Sequence, residues 1–241
     1  MTNAISLKIR GQALRLGAML FTLTALATST VQAGYVAVSD RPSLPANDLI
    51  EWSVLGPAFT AMPNPFVVAS TGGTNVTWSQ NSGTPERRDQ GNGWTGNFPN
   101  FGDSLMWTQG LGGGPVTLSF GGSTVSSIGF GIQADEYTPY DGYLELLDAS
   151  DVVLHTVNFS GISSTDSADY KFVGVYSDNP LTDFAKARFN VTLPGSTAGN
   201  FAIDSVSFSS KPVPEPSTWI SLGIGSVAIA GYRARRRRAN A

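Results

Sequence analysis

Three carboxylates stand close together in one short stretch of this chain: Asp135, Glu136 and Asp141, within the turn-forming run 134–142. Like charges that dense repel one another unless a cation sits between them, and Ca2+ prefers carboxylate and carbonyl oxygens. Their spacing departs from that of an EF-hand loop, and the alternative is that they are water-exposed turn acids. A second set of candidates is aromatic. Trp94, Phe98, Trp107, Tyr137 and Tyr140 fall in segments rich in Gly, Pro and Asn. Ring faces exposed on loops can stack on sugar rings. The competing expectation is that these rings cap the ends of a core.

Catalytic residues are harder to assign. His155 is the only histidine, and it shares an apolar face with Val153 and Val157, which reads as structural. The chain has no G-x-S-x-G elbow, no H-E-x-x-H pair and no phosphate loop. With no cysteine, disulfides, thiolate metal sites and a thiol nucleophile are excluded together. Glu51, Glu86, Glu136 and Glu145 are the glutamates of the central region, and among so many aspartates some carboxylate pair falls within reach by chance. No catalytic residue is therefore expected.

The elements that must position these groups are strands. Run 74–79 sets Val76 and Trp78 on one face, and run 115–120 sets Val116, Leu118 and Phe120 on one face. Runs 125–133, 152–159 and 185–193 align Ile128, Phe130 and Ile132; Val153, His155, Val157 and Phe159; and Ala185, Ala187, Phe189, Val191 and Leu193. Period-two alternation marks half-buried strands, and no sustained 3.6-residue period competes with it. Asp148-Ala149-Ser150-Asp151 reads as a hairpin turn. The prediction is an all-β fold, a jelly-roll-like antiparallel β-sandwich of about nine to eleven strands. The glycine-rich stretch 80–114 is expected as long loops, where a rigid sandwich places binding.

Charge divides the chain. Residues 34–210 hold six basic and seventeen acidic residues, a net of −11, which excludes a nucleic-acid partner. The ends differ. Lys8, Arg10 and Arg15 precede the apolar run 16–27, and Val31-Gln32-Ala33 suits a cleavage site, so residues 1–33 read as a signal peptide. Residues 211–217 form a linker carrying Pro214, Glu215 and Pro216, residues 218–232 an apolar run, and residues 233–241 a basic tail with Arg233, Arg235, Arg236, Arg237 and Arg238. Fifteen helical residues span about 22 Å, so a short transmembrane helix needs the interfacial Trp219 and Tyr232 and snorkelling arginines to cross. The arginines mark the cytoplasmic side and leave residues 34–210 outside.

Pro-Glu-Pro, a short apolar helix and an arginine cluster over about residues 212–238 resemble the PEP-CTERM sorting domain. The resemblance implies export and processing by exosortase in a Gram-negative bacterium that makes extracellular polysaccharide, with Pro214, Glu215 and Pro216 as the substrate motif and a surface or extracellular destination. The patches 48–56, 93–98 and 201–208 are similar to domains commonly attached to such tails. The last is similar to the closing strand of carbohydrate-binding jelly rolls, which often place a Ca2+-ligating aspartate there; this implies Asp204 as a further calcium candidate. The expected function is an exported, non-catalytic envelope or matrix protein that binds extracellular polysaccharide. A purely structural matrix role and a glycan-active enzyme are the alternatives.

Overall fold

In the computed structural model, which describes residues 34–110, 112–179, 182–194 and 199–210, all five alternating runs are strands. In chain order the strands are β1 (Tyr35–Val38), β2 (Asp48–Ile50), β3 (Thr60–Ala61), β4 (Phe66–Ala69), β5 (Asn75–Gln80), β6 (Glu86–Gln90), β7 (Gly93–Trp94) and β8 (Ser104–Trp107). They continue as β9 (Val116–Ser119), β10 (Val125–Ala134), β11 (Pro139–Leu147), β12 (Val153–Ile162), β13 (Lys171–Ser177), β14 (Lys186–Thr192), β15 (Phe201–Ile203) and β16 (Val206–Ser210). The six-stranded sheet has the order β12-β11-β14-β9-β5-β4. The ten-stranded sheet runs β1-β13-β10-β15-β8-β6-β3, with β16 between β10 and β2 and with β7 beside β6. Consecutive strands from β9 to β15 repeatedly change sheet, and all pairings but β6–β7 are antiparallel: the fold is a jelly-roll-like β-sandwich.

The sixteen strands among the described residues exceed the nine to eleven expected. The extra ones are short, and several, β6, β7 and β8, lie in the stretch read as loop. Glu86-Arg87-Arg88-Asp89-Gln90 shows no apolar alternation because its charges pair along the strand, Arg87 with Asp89 and Arg88 with Glu86.

The inner faces meet in one core. Trp78 packs edge-on against Trp52 and Phe189, and Phe130 lies 4.5 Å, ring centre to ring centre, from Phe189. Strand β10 goes further: it is buried on both faces. Ile128, Phe130 and Ile132 point inward, while Gly129, Gly131 and Gln133 lie beneath a second layer outside the sheet. Phe172 and Leu44 lie over Gly129, and the Tyr170 ring lies over Gly131 so closely that a Cβ there would collide with it. Gln133 Oε1 accepts from Trp94 Nε1 at 2.8 Å and from Asn97 N at 3.0 Å, and its Nε2 donates to Ser163 Oγ at 2.9 Å. Residues 94–98 of the glycine-rich stretch thus fold back over the large sheet as a lid, pinned by one buried amide.

The β11–β12 turn forms as expected. Asp148 Oδ1 accepts from Ser150 N at 2.8 Å and Val152 N at 2.9 Å, and Asp151 takes the left-handed conformation, φ 66°. The signal peptide, linker, transmembrane helix and basic tail fall on residues 1–33 and 211–241, outside the described residues. Among the described residues no helix is long and apolar enough to cross a membrane.

Candidate functional site

Strands β15 and β16 run one after the other along the same edge of β10, joined by an irregularity in which two residues of β10 face three. The extra residue comes from the segment Asp204–Ser205, and Asp204 fills the gap in the ladder. Its N–H donates to Gly131 O at 3.1 Å, and its carbonyl accepts from Trp52 Nε1 at 2.7 Å. Its Oδ1 accepts from Gly131 N at 2.6 Å and from Arg41 at 2.8 Å, and its Oδ2 accepts from the Tyr170 hydroxyl at 2.7 Å. Arg41 also donates to Ser205 O at 2.9 Å and to Ser207 Oγ, and lies over the Phe172 ring. Burial pushes the Asp204 carboxyl up, against the pull of Arg41, Tyr170 and the Gly131 N–H. Burial acts to lower the Arg41 guanidinium, and Asp204 overrides it, so the cation is held more firmly than usual. Burial and Asp204 together push the Tyr170 phenol up, which keeps it a neutral donor.

Around this node the surface is indented. A cavity of about 160 Å3 is lined by Arg41, Glu51, Asn100, Asp103, Tyr170 and Asp204, among others. It shares Arg41, Glu51 and Ser205 with a neighbouring depression of about 480 Å3 that adds Asn47, Asp48, Thr71 and Ser207. That depression shares Asn47 and Asp48 with a third, of about 390 Å3, at the end of the sandwich where Gly72, Thr74, Asn75, Ser123 and Ser210 lie. Shared lining residues set the three side by side as a groove of mixed polar and apolar surface. Glu51 makes no side-chain hydrogen bond among the described residues; burial pushes its carboxyl up, Asp103 and Asp204 add to the rise, and Arg41 opposes it.

Asp48 builds the middle of the groove. Its Oδ1 accepts from Gly72 N at 2.7 Å, Leu49 N at 2.8 Å and Thr71 Oγ1 at 3.2 Å; its Oδ2 accepts from Ser70 Oγ at 2.6 Å and Thr74 Oγ1 at 3.1 Å. One carboxylate thereby ties β2 of the large sheet to the β4–β5 turn of the small one. Burial raises its pKa, but the donors outweigh burial and hold it below the usual aspartate value. Asn47 closes the same end: Nδ2 donates to Ser210 O at 3.1 Å and Oδ1 accepts from Ser210 N at 3.0 Å.

The sequence candidates distribute unevenly. Trp94, Phe98 and Tyr140 are buried, so their faces are not offered to a ligand. Trp94 and Phe98 fill the second layer with Leu105 and Ala202, and Tyr140 joins the main core with its hydroxyl on Ile132 O at 2.8 Å. Trp107 is half-buried under the Arg88 guanidinium, which lies between it and Phe59. Tyr137 is exposed, its hydroxyl bonded at Thr95. Asp135 and Glu136 are exposed, and Asp135 accepts from Asn200 Nδ2 at 2.8 Å. Asp141 is exposed on β11. Asp204 is buried, with its carboxylate filled by three donors. Among the described residues, no three of His, Cys, Asp or Glu gather where a metal ion would fit. His155 stacks on Tyr35 at 4.7 Å, a packing role.

Arg41, Glu51, Asn47 and Asp48 were not singled out from the sequence as site residues. The signals were weak: Asp48 and Glu51 lie in the patch 48–56, and Arg41 is among only six bases in a domain of seventeen acids.

The tail supplies what the groove does not. Residues 212–238 match the PEP-CTERM protein-sorting motif. The chain is thus an exported protein that carries an exosortase sorting signal. No curated protein matches its sequence. Several solved structures are similar to it. A DUF4465 family protein from Bacteroides caccae is 14% identical, with 74% of this chain and 100% of that one covered and a TM-score of 0.39. The enzymatically active domain of tailspike protein 4 of bacteriophage CBA120 is 15% identical over 56% of this chain and 19% of that one, with a TM-score of 0.32. CsCBM6-3 from Clostridium stercorarium, in complex with cellobiose, is 14% identical over 68% of this chain and 93% of that one, with a TM-score of 0.24.

Proposed function

We propose that this is a non-catalytic surface or matrix protein that binds extracellular polysaccharide along the groove beside Arg41, after exosortase has processed its tail. The observation that carries the reading is that three adjoining depressions share Arg41, Glu51, Asn47 and Asp48 in their lining. Its lining mixes donors and acceptors, which suits the hydroxyl-rich edge of a sugar chain. Asp204 and Asp48 are committed to structural hydrogen bonds, which leaves Glu51 and Asp103 as the carboxylates with freedom to meet a ligand. A second reading, glycan cleavage, rests on the raised Glu51 carboxyl beside Asp103, the one arrangement in the groove that resembles an acid and its partner.

Isothermal titration of residues 34–210, which contain both sheets and the whole core, with the cell's own exopolysaccharide tests it. Wild type is expected to bind, and a Glu51→Ala, Asn100→Ala double variant to bind at least about tenfold more weakly, a loss of roughly 1.4 kcal/mol, with an unchanged melting temperature. Equal binding by both proteins, or none by wild type, overturns the groove as the site. Release of free oligosaccharide during the titration overturns the non-catalytic reading.

A further inference from the structure

The sandwich has several edges, and they are protected unequally. β1, β2, β3, β4 and β7 are two to four residues long, and β4 follows Pro65 directly. Short strands and prolines are how natural sheets blunt their edges. β12 is ten residues long, ends its sheet, and pairs among the described residues with β11 alone. It carries no charge and no proline, and its register is regular from His155 to Ile162. Its outward row is Leu154, Thr156, Asn158, Ser160 and Ile162, all exposed, with Leu154 at 39% and Ile162 at 49%.

We propose that β12 pairs antiparallel with β12 of a second copy of this chain, about a twofold axis at Asn158. In that register Leu154 of each copy faces Ile162 of the other, Thr156 faces Ser160, and Asn158 faces Asn158. Both exposed aliphatic ends of the row are covered at once, and the polar residues meet polar residues. Directly opposed residues in an antiparallel ladder share a face, so the small sheet continues across the axis as twelve strands. Charge limits where two copies can meet. Copies with a net of −11 repel, and β12 offers a contact row without an acid. Glu145, beside Thr156 on β11, is already neutralised by Arg188 at 2.7 Å.

The absence of cysteine makes the test direct. Asn158→Cys is introduced into the full chain, and envelope fractions are oxidised mildly. Opposed residues about 5 Å apart suit a disulfide. Asn158→Cys is expected to give at least about tenfold more linked dimer than Val67→Cys, an exposed residue on the opposite edge of the small sheet. Thr156→Cys alone should not link, whereas Thr156→Cys mixed with Ser160→Cys should. Adding Leu154→Lys to Asn158→Cys should suppress the link, with far-UV circular dichroism unchanged. No excess over Val67→Cys overturns the proposal, and self-linking of Thr156→Cys overturns the antiparallel twofold.

Discussion

The Tyr170 hydroxyl meets Asp204 Oδ2 at 2.7 Å, across a sheet whose outer face the Tyr170 ring covers. The pair joins the second layer to the break between β15 and β16. Because Asp204 is buried, each donor it loses leaves charge without compensation. Tyr170→Phe keeps the ring and removes one hydrogen bond to a charged group, so it should cost about 1.5–3 kcal/mol. Urea denaturation at neutral pH measures this; a loss below about 0.5 kcal/mol, the level of an ordinary surface change, would contradict the role given to the pair.

Asp48 makes stability depend on pH in a definite direction. Its folded pKa is depressed by the donors at Gly72, Ser70, Leu49 and Thr74. Its contribution is therefore fully present above the ordinary aspartate value of about 3.9 and is lost as pH falls through the lower folded value. Asp48→Asn should be less stable than wild type at pH 6, and the gap should close on acidification below about pH 4. Comparing the two proteins cancels the opposite contribution of Asp204, whose pKa is raised. A gap independent of pH would show that the carboxylate's charge is irrelevant.

Gln133 makes four hydrogen bonds, two to the lid at Trp94 and Asn97 and two to Ser163 and Ser164. Gln133→Ala leaves the Trp94 and Asn97 donors buried without partners, at about 1–3 kcal/mol each. The expected result is a lower melting temperature together with faster amide exchange across residues 94–105. Unchanged exchange there would mean that the lid is held by its rings alone.

Most of the small sheet was legible because its strands have one wet face. Val76 and Trp78, or Ala187 and Phe189, alternate with residues that face water, and the pattern appears in the sequence. β10 was legible as a strand but not as one buried twice. Glycines at 129 and 131 look permissive in sequence, whereas here they make room for Phe172 and Tyr170. The aromatic candidates misled for a related reason. Trp94 and Phe98 lie among turn-forming residues, and nothing local says that the turn folds back over a sheet. Asp204 stood out by its neighbours in sequence, but its partners Arg41 and Tyr170 are 163 and 34 residues away. The groove depends on such long-range pairs, so its lining was not legible, whereas the sorting tail is a local motif and was read directly.

The proposed function depends on delivery of this sandwich to the outside under the control of its sorting tail. Intact-mass analysis of the protein from cells with and without exosortase tests it most directly, with fractions taken from membrane, surface and medium. Exosortase-positive cells are expected to hold a surface or released form that begins near Gly34 and lacks the residues after Pro-Glu-Pro, while exosortase-deficient cells accumulate a membrane-bound form whose tail is intact. One mass and one distribution in both strains would contradict this.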